Sequence, residues 1–386
     1  MNQNVFLNIE KKLQHVSGYI IKQPSHVSYL TNVLFPYPEN SPYSTALVGI
    51  PEKNEFVLIV PVDWLDVAKD QKWNHSIVSY NLNQGSPDQA FCDAVIKSVT
   101  DMKIDTENLA LDFPAWTVNE IKQLSAKLNH LKWQDCDELL WRNRMIKSEQ
   151  EIRFLHQSAQ IADRGMIGAL NHVEGTTMSS YYTLSEFLER VRVHAIEFGT
   201  CGIGHLNISQ GAEGKAEITP IQDFSFVNQD NLIRIDYTSE YLGYWNACSR
   251  MFYIGKPDKE SEDAFEANQS LIIYAQSLLK PGIVIGDFCK LIKEKADSSR
   301  ISLYDETCFG HGLGLSEAEW PFITIDNPDS FEKGMVIVLK IKTYGPQGAI
   351  IHSTETYEIT NRGYRKLSDF KEWNHLYRID GCRSNH

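Results

Sequence analysis

The chain has 386 residues, and its 37 basic against 50 acidic side chains give a formal net charge of −13. A surface that tracks phosphates or an anionic membrane is therefore not expected, and nucleic acid is set aside as a partner. Apolar residues make up 42% and charged residues 23%; these are ordinary globular values, and no window reaches the ~20 unbroken apolar residues of a membrane helix.

The opening MNQNVFLNIEKKL places polar and charged residues where a secretory signal needs an apolar core, so a cytoplasmic location is expected. The cysteines, Cys92, Cys136, Cys201, Cys248, Cys289, Cys308 and Cys382, show no CxxC spacing. Buried free thiols are expected rather than a zinc knuckle or a dithiol redox site.

The length suggests two or three folded units. Runs at 44–50 (STALVGI), 55–61 (EFVLIVP), 75–80 (HSIVSY) and 108–113 (NLALDF) read as strands, while Asp88–Thr100 and Val118–Asn129 have helical spacing. That alternation describes an α/β domain over 1–145. The division falls near Arg144, where Ser148 followed by Glu151 forms a capping-box signature and Ile152, Leu155, Ala159, Ala162, Met166 and Leu170 recur at helical spacing.

The second domain, 146–386, continues with a helix at about 178–197 and strands near 203–210 and 231–255. Helices at about 260–279 and 286–298 and a strand-rich stretch from Met335 to Thr360 complete it. Helices and antiparallel strands segregate here, an α+β pattern.

Four segments of this second domain carry chemistry-bearing residues. In LIRIDYTSEYLGYWNACSR, Asp236 ends an apolar strand and Gly243-Tyr244 begins the return strand of a hairpin. The plain alternative is an Asp that caps the turn, with Arg250 paired nearby. In CFGHGLGLSEAEWPF, His311 stands between glycines that let the backbone approach a ligand, and Glu319 and Pro321 follow. FEKGMVIVLKIK is an apolar strand interrupted by Lys340, whose ammonium requires a carboxylate if buried. AIIHSTETYEIT offers His352, Thr354 and Glu355, or else an edge strand with polar residues facing water.

In order and spacing these segments resemble the pita-bread family of creatinase, prolidase, aminopeptidase P and methionine aminopeptidase. GYIIKQPSHVSYLTN resembles the family's early strand followed by a Tyr-Leu-Thr turn, and IKSEQEI its interdomain junction. Asp236 with Gly243-Tyr244 and Arg250 follows its hairpin motif, Lys280-Pro281-Gly282 its helix-end motif, Gly310-His311-Gly312 its histidine motif, and Lys333-Gly334-Met335-Val336 the entry to its penultimate strand. The resemblance implies an α/β N-terminal domain followed by a pita-bread α+β catalytic-type domain. It also implies a homodimer.

The same resemblance implies two divalent ions held by two Asp, one His and two Glu. Asp236 and His311 keep two of those positions, whereas the second Asp falls on Ala247 and the two Glu on Lys340 and Thr354. Alanine offers no donor atom and threonine is a poor ligand for a hard cation. An ammonium ~4 Å from a divalent ion would oppose it by about 8 kcal/mol at an effective dielectric near 20. A one-residue slip that brought in Asn246, Cys248 or Glu355 would need a β-bulge, because strand side chains alternate faces. No metal and no cofactor is therefore expected.

The functional expectation is a metal-independent creatinase-like enzyme that hydrolyses a C–N bond in a small polar, amino-acid-like molecule. Glu217, which stands where the creatinase branch has a histidine, is expected as base, with His311 at the leaving nitrogen and Lys340 with Asp236 polarising the scissile group; Glu319 belongs to the same constellation. Tyr244, Arg250, His205, His352 and Glu355 are candidate substrate contacts. The alternatives are a non-catalytic module that binds a peptide or protein and, second, a metallopeptidase for Xaa-Pro bonds.

Overall fold

The computed structural model describes residues 12–13, 15–35, 43–81, 86–175, 183–211, 230–368 and 375–379, with the isolated positions 6, 9 and 227. The chain forms two compact units, Met1–Arg144 and Met145–His386.

The strands of the first unit are β1 (Gly18–Ile21), β2 (Ala46–Ile50), β3 (Glu55–Pro61), β4 (Ser76–Tyr80), β5 (Leu109–Leu111) and β6 (Trp133–Asp135). They form a six-stranded sheet in the order β4-β3-β2-β1-β5-β6. Between and after them lie α1 (Pro24–Thr31), α2 (Leu65–Asp70), α3 (Pro87–Asp101), α4 (Val118–Lys127) and α5 (Asp137–Met145). Tyr19, Ile21, Leu58 and Val60 pack with Val27, Leu30 and Leu140 on one face, while Ile20, Val48, Val57 and Ile59 pack with Phe91, Val95 and Leu124 on the other. Burial on both faces explains why the EFVLIVP strand reads as an unbroken apolar run rather than as alternation.

The segment after β1, which resembles a Tyr-Leu-Thr turn in sequence, is the helix α1. Pro24 fits its first turn, and Asn32 ends it in the left-handed conformation (φ 58°), its N–H donating to the Ser28 carbonyl.

The second unit opens on α6 (Glu149–Gly175). The Glu151 N–H donates to Ser148 Oγ at 3.3 Å and the Ser148 N–H to Glu151 Oε2 at 2.8 Å, which completes the capping box. A second capping box, Thr183 with Glu186, starts α7 (Leu184–Glu197) later than periodicity alone suggests; residues 176–182 lie outside the described set.

Two sheets follow. One is built from β7 (Gly202–Gln210), β8 (Asn231–Tyr241), β9 (Tyr244–Ile254) and β17 (Tyr377–Ile379), in the order β17-β9-β8-β7. The other is built from β10 (Cys308–Gly312), β11 (Glu319–Thr324), β12 (Val336–Leu339), β15 (Glu355–Ile359) and β16 (Tyr364–Lys366), in the order β11-β10-β12-β15-β16. The short strands β13 (Thr343–Tyr344) and β14 (Ile350–Ile351) pair with each other.

Helices cover one face of each sheet. Met166, Leu170, Phe187 and Val191 of α6 and α7 pack on Ile208, Ile235, Tyr237 and Phe252. Leu271, Ala275, Phe288 and Ile292 of α8 (Lys259–Leu278) and α9 (Ile285–Ser298) pack on Phe309, Ile337, Leu339 and Tyr357. A β-bridge between Ser249 and Thr354 joins the two sheets. With the apolar faces turned to the helices, polar residues of β7, β8, β9 and β10, together with Lys340 just after β12, are left to line a cavity.

Candidate functional site

The β8/β9 hairpin supplies the floor. Asp236 does not end its strand as the sequence suggested; β8 runs on to Tyr241, and Leu242 and Gly243, both at positive φ, make the turn. Asp236 pairs across the hairpin with Ser249, Tyr237 with Cys248 and Thr238 with Ala247, in a register without a bulge. Asp236, Ser249, Thr238 and Ala247 therefore share one face, and Tyr237 and Cys248 turn to the apolar core. The bulge that would have moved Cys248 or Asn246 onto the polar face is not there.

From the second sheet come His311 and Lys340. Phe309 sits in the apolar core although His311, two residues on, lines the cavity. Side chains two apart on a strand share a face, so the backbone must break between them. Gly310 supplies the break at φ 146°, a value few side chains tolerate, and a β-carbon there would run into the Val338 carbonyl.

The cavity measures about 290 Å³, and among its lining residues are His205, Asp236, Thr238, Ala247, Ser249, His311, Glu317, Lys340 and His352. Asp236 is buried and takes the Arg234 Nε–H on Oδ2 at 2.8 Å. Its Oδ1 lies 3.1 Å from His352 Nε2, yet neither atom is in a hydrogen bond. Burial pushes this carboxyl up, but the His352 charge at the acid pH where the carboxyl would titrate, the Arg234 guanidinium and the Ser249 hydroxyl outweigh burial and hold it well below the usual carboxylate range. Burial also lowers the His352 pKa against the pull of Asp236, so its ring stays neutral; its Nδ1 is 3.3 Å from the Thr354 hydroxyl.

His311 is lowered to about 4 by burial first and then by the nearby Lys340 ammonium. Its Nδ1 is 2.8 Å from the Gly312 carbonyl. A carbonyl only accepts, so Nδ1 carries the proton and Nε2 keeps a lone pair. Cys248 is no nucleophile, because burial pushes its thiol up to about 12.

The structure brings Asp236, His311, Lys340, His205 and His352 to this one cavity, and among the described candidates Arg250, Glu355, Glu319 and Tyr244 are not in its lining. Arg250, 1% exposed, holds Asp163 at 3.0 Å and Glu355 at 3.1 Å and donates to the Thr354 carbonyl, which commits it to the core. Glu355 also takes Lys366 at 2.8 Å. Glu319 is buried 3.4 Å from Lys147 and accepts the Ser316 N–H, and Tyr244 is buried with its hydroxyl on Glu151. For these four, sequence spacing suggested substrate contact or catalysis; the structure shows them buried, Arg250, Glu319 and Glu355 in ion pairs and Tyr244 in a hydrogen bond to Glu151. Glu217 lies outside the described residues. Glu317 was missed, since no motif marks it.

Family models place this architecture. Residues 153–361 match the metallopeptidase family M24 model and residues 10–146 match the creatinase/prolidase N-terminal domain model. The chain belongs to the M24 metallopeptidase family. An uncharacterized peptidase of Staphylococcus epidermidis is 25% identical over 327 residues, covering 84% of this chain and 87% of that protein. One from Staphylococcus aureus strain MW2 is 24% identical over 375 residues, covering 94% and 99%.

Among solved structures, the Xaa-Pro dipeptidase of Bacillus anthracis superposes with a TM-score of 0.82 at 16% identity, covering 98% of this chain and 100% of that one. The X-Pro aminopeptidase of Thermotoga maritima MSB8 does so at 0.79 and 18%, covering 96% and 99%. These matches correct the leading functional expectation. A creatinase-like hydrolase of a non-peptide C–N bond gives way to the peptidase branch, which had stood second among the alternatives.

The residues present do not fit the M24 family's metal pair. Ala247 brings no donor atom, the Thr354 hydroxyl is engaged with His352, Lys340 adds a cation, and Asp236 is already neutralised by Arg234. Among the described residues no cluster of three or more His, Cys, Asp or Glu side chains could hold a metal ion. Nor is any described helix long and apolar enough to cross a membrane.

Proposed function

We propose that the cavity takes a short peptide of the Xaa-Pro type and that the chain hydrolyses it with its own side chains. The observation that carries this reading is the pairing of a neutral His311, its Nε2 lone pair fixed by the Gly312 carbonyl, with the Lys340 ammonium in one cavity. The volume sits near the lower end of small-ligand clefts, about 300–1,000 Å³, which suits a dipeptide better than a long chain.

In the step proposed, His311 Nε2 takes a proton from the attacking water as the C–O bond forms, and the carbonyl electrons move onto an oxygen that the Lys340 ammonium stabilises. The C–N bond then breaks as the imidazolium returns the proton to the leaving nitrogen. Proline release from unblocked Xaa-Pro dipeptides tests the proposal. His311→Gln and Lys340→Met are each expected to lower the rate by about 10²-fold or more.

A second reading is favoured by the substitutions at Ala247, Lys340 and Thr354: the peptide is held and not cut. Saturable peptide binding without released proline would select it. Neither binding nor release would overturn both.

A further inference from the structure

We infer that Glu317 is the residue that reads the free α-ammonium of a peptide in the cavity. The inference rests on the peptide reading above and adds to it a recognition element that no motif or family resemblance assigns.

Glu317 lies between His311 and β11 and lines the cavity together with His205. The stretch that carries it is pinned from below. Glu319 Oε1 accepts the Ser316 N–H at 3.0 Å while Oε2 faces Lys147 at 3.4 Å, and both charged groups are buried. Glu319 thus acts as a positioning residue for its neighbour.

On its other side the Glu317 carboxylate lies directly over the backbone of β7. A β-carbon at Gly204 would overlap Glu317 Oε1 and would stand 2.8 Å from Thr238 Oγ1. Glycine at 204 is what lets the carboxylate approach so closely.

The charges in the cavity give this carboxylate a distinct role. Asp236 is compensated by Arg234, and His311 and His352 are both kept from protonating by burial. Glu317 is half-buried and, among the described residues, has no hydrogen-bond or ion-pair partner. A partly desolvated carboxylate is best satisfied by a cation with several N–H donors, and the α-ammonium of an unblocked peptide is such a group. A peptide acylated at its N-terminus offers no charge there and should be discriminated against.

The test measures binding of Ala-Pro and N-acetyl-Ala-Pro by calorimetry to the wild type, to Glu317→Gln and to Gly204→Ala. The wild type is expected to prefer the unblocked peptide by about tenfold or more. Glu317→Gln should bring the two peptides together by weakening the unblocked one alone, and Gly204→Ala should do so in part by displacing the carboxylate.

Equal binding of the two peptides by the wild type would overturn the inference, as would a preference that survives in Glu317→Gln; either result leaves the peptide reading standing. Binding of neither peptide by the wild type would overturn that reading and the inference with it.

Discussion

The Arg234 guanidinium donates from Nε to Asp236 Oδ2 at 2.8 Å, and both side chains are buried, Asp236 in the lining of the cavity. They sit two residues apart on the same face of β8, so strand geometry alone holds them together. Arg234→Met would leave an uncompensated buried carboxylate beside a neutral His352. The expected outcome is a loss of about 3–5 kcal/mol in urea unfolding. Arg234→Met/Asp236→Leu, which removes both charges, should recover much of it.

Arg250 makes a parallel case in the core. It is held between Asp163 and Glu355, and its pKa is raised by the neighbouring carboxylates and the Cys248 thiol against the pull of burial. Arg250→Met should destabilise by a similar 3–5 kcal/mol, roughly, in urea melts. At temperatures where the variant remains folded, the affinity for a cavity ligand should stay within about threefold of wild type. A larger change would return Arg250 to the substrate contacts.

His311 gives the pH dependence its sign. Its folded pKa of about 4 lies below the ordinary 6.5, so between these values the unfolded chain binds a proton that the folded chain refuses. Its contribution to stability is complete above pH 6.5 and is lost as pH falls toward 4, on the order of 3 kcal/mol in all. His352, lowered as well, acts in the same direction. Melts of the wild type and of His311→Gln across pH 4–7 should differ in slope, the variant being flatter. Lys340→Met should move the His311 titration upward, read by the imidazole proton resonances.

Metal response can be engineered in. The wild-type melting temperature should not move with Mn²⁺, Co²⁺ or EDTA, because Lys340, Ala247 and the Arg234-bound Asp236 oppose a two-ion centre. Ala247→Asp/Lys340→Glu/Thr354→Glu should rise by several degrees with Mn²⁺. A wild-type rise of that size would contradict the account of the site.

Much of the fold was legible because it follows from local rules. The Ser148/Glu151 box, the unbroken apolar run of β3 and the helical spacing of α3 and α4 all appear in the sequence as they do in the structure. The site was less legible because its pairings are long-range. Nothing in a row of letters shows that Asp236 meets His352, that Arg250 is satisfied by Asp163 and Glu355, or that Gly204 clears a path for Glu317. Charged residues at family-like spacing suggested chemistry for Arg250, Glu319 and Glu355, and the sequence does not show that all three are buried in ion pairs. The choice between peptide and non-peptide substrates turned on similarity to whole proteins, which single positions do not carry.

The most direct test of the central claim is proline release from unblocked Xaa-Pro dipeptides by protein treated with EDTA, with and without added Mn²⁺ or Co²⁺. Release is expected at the same rate in all conditions and is expected to be lost in His311→Gln and Lys340→Met. Release that requires added metal, or that survives in both variants, would contradict that claim.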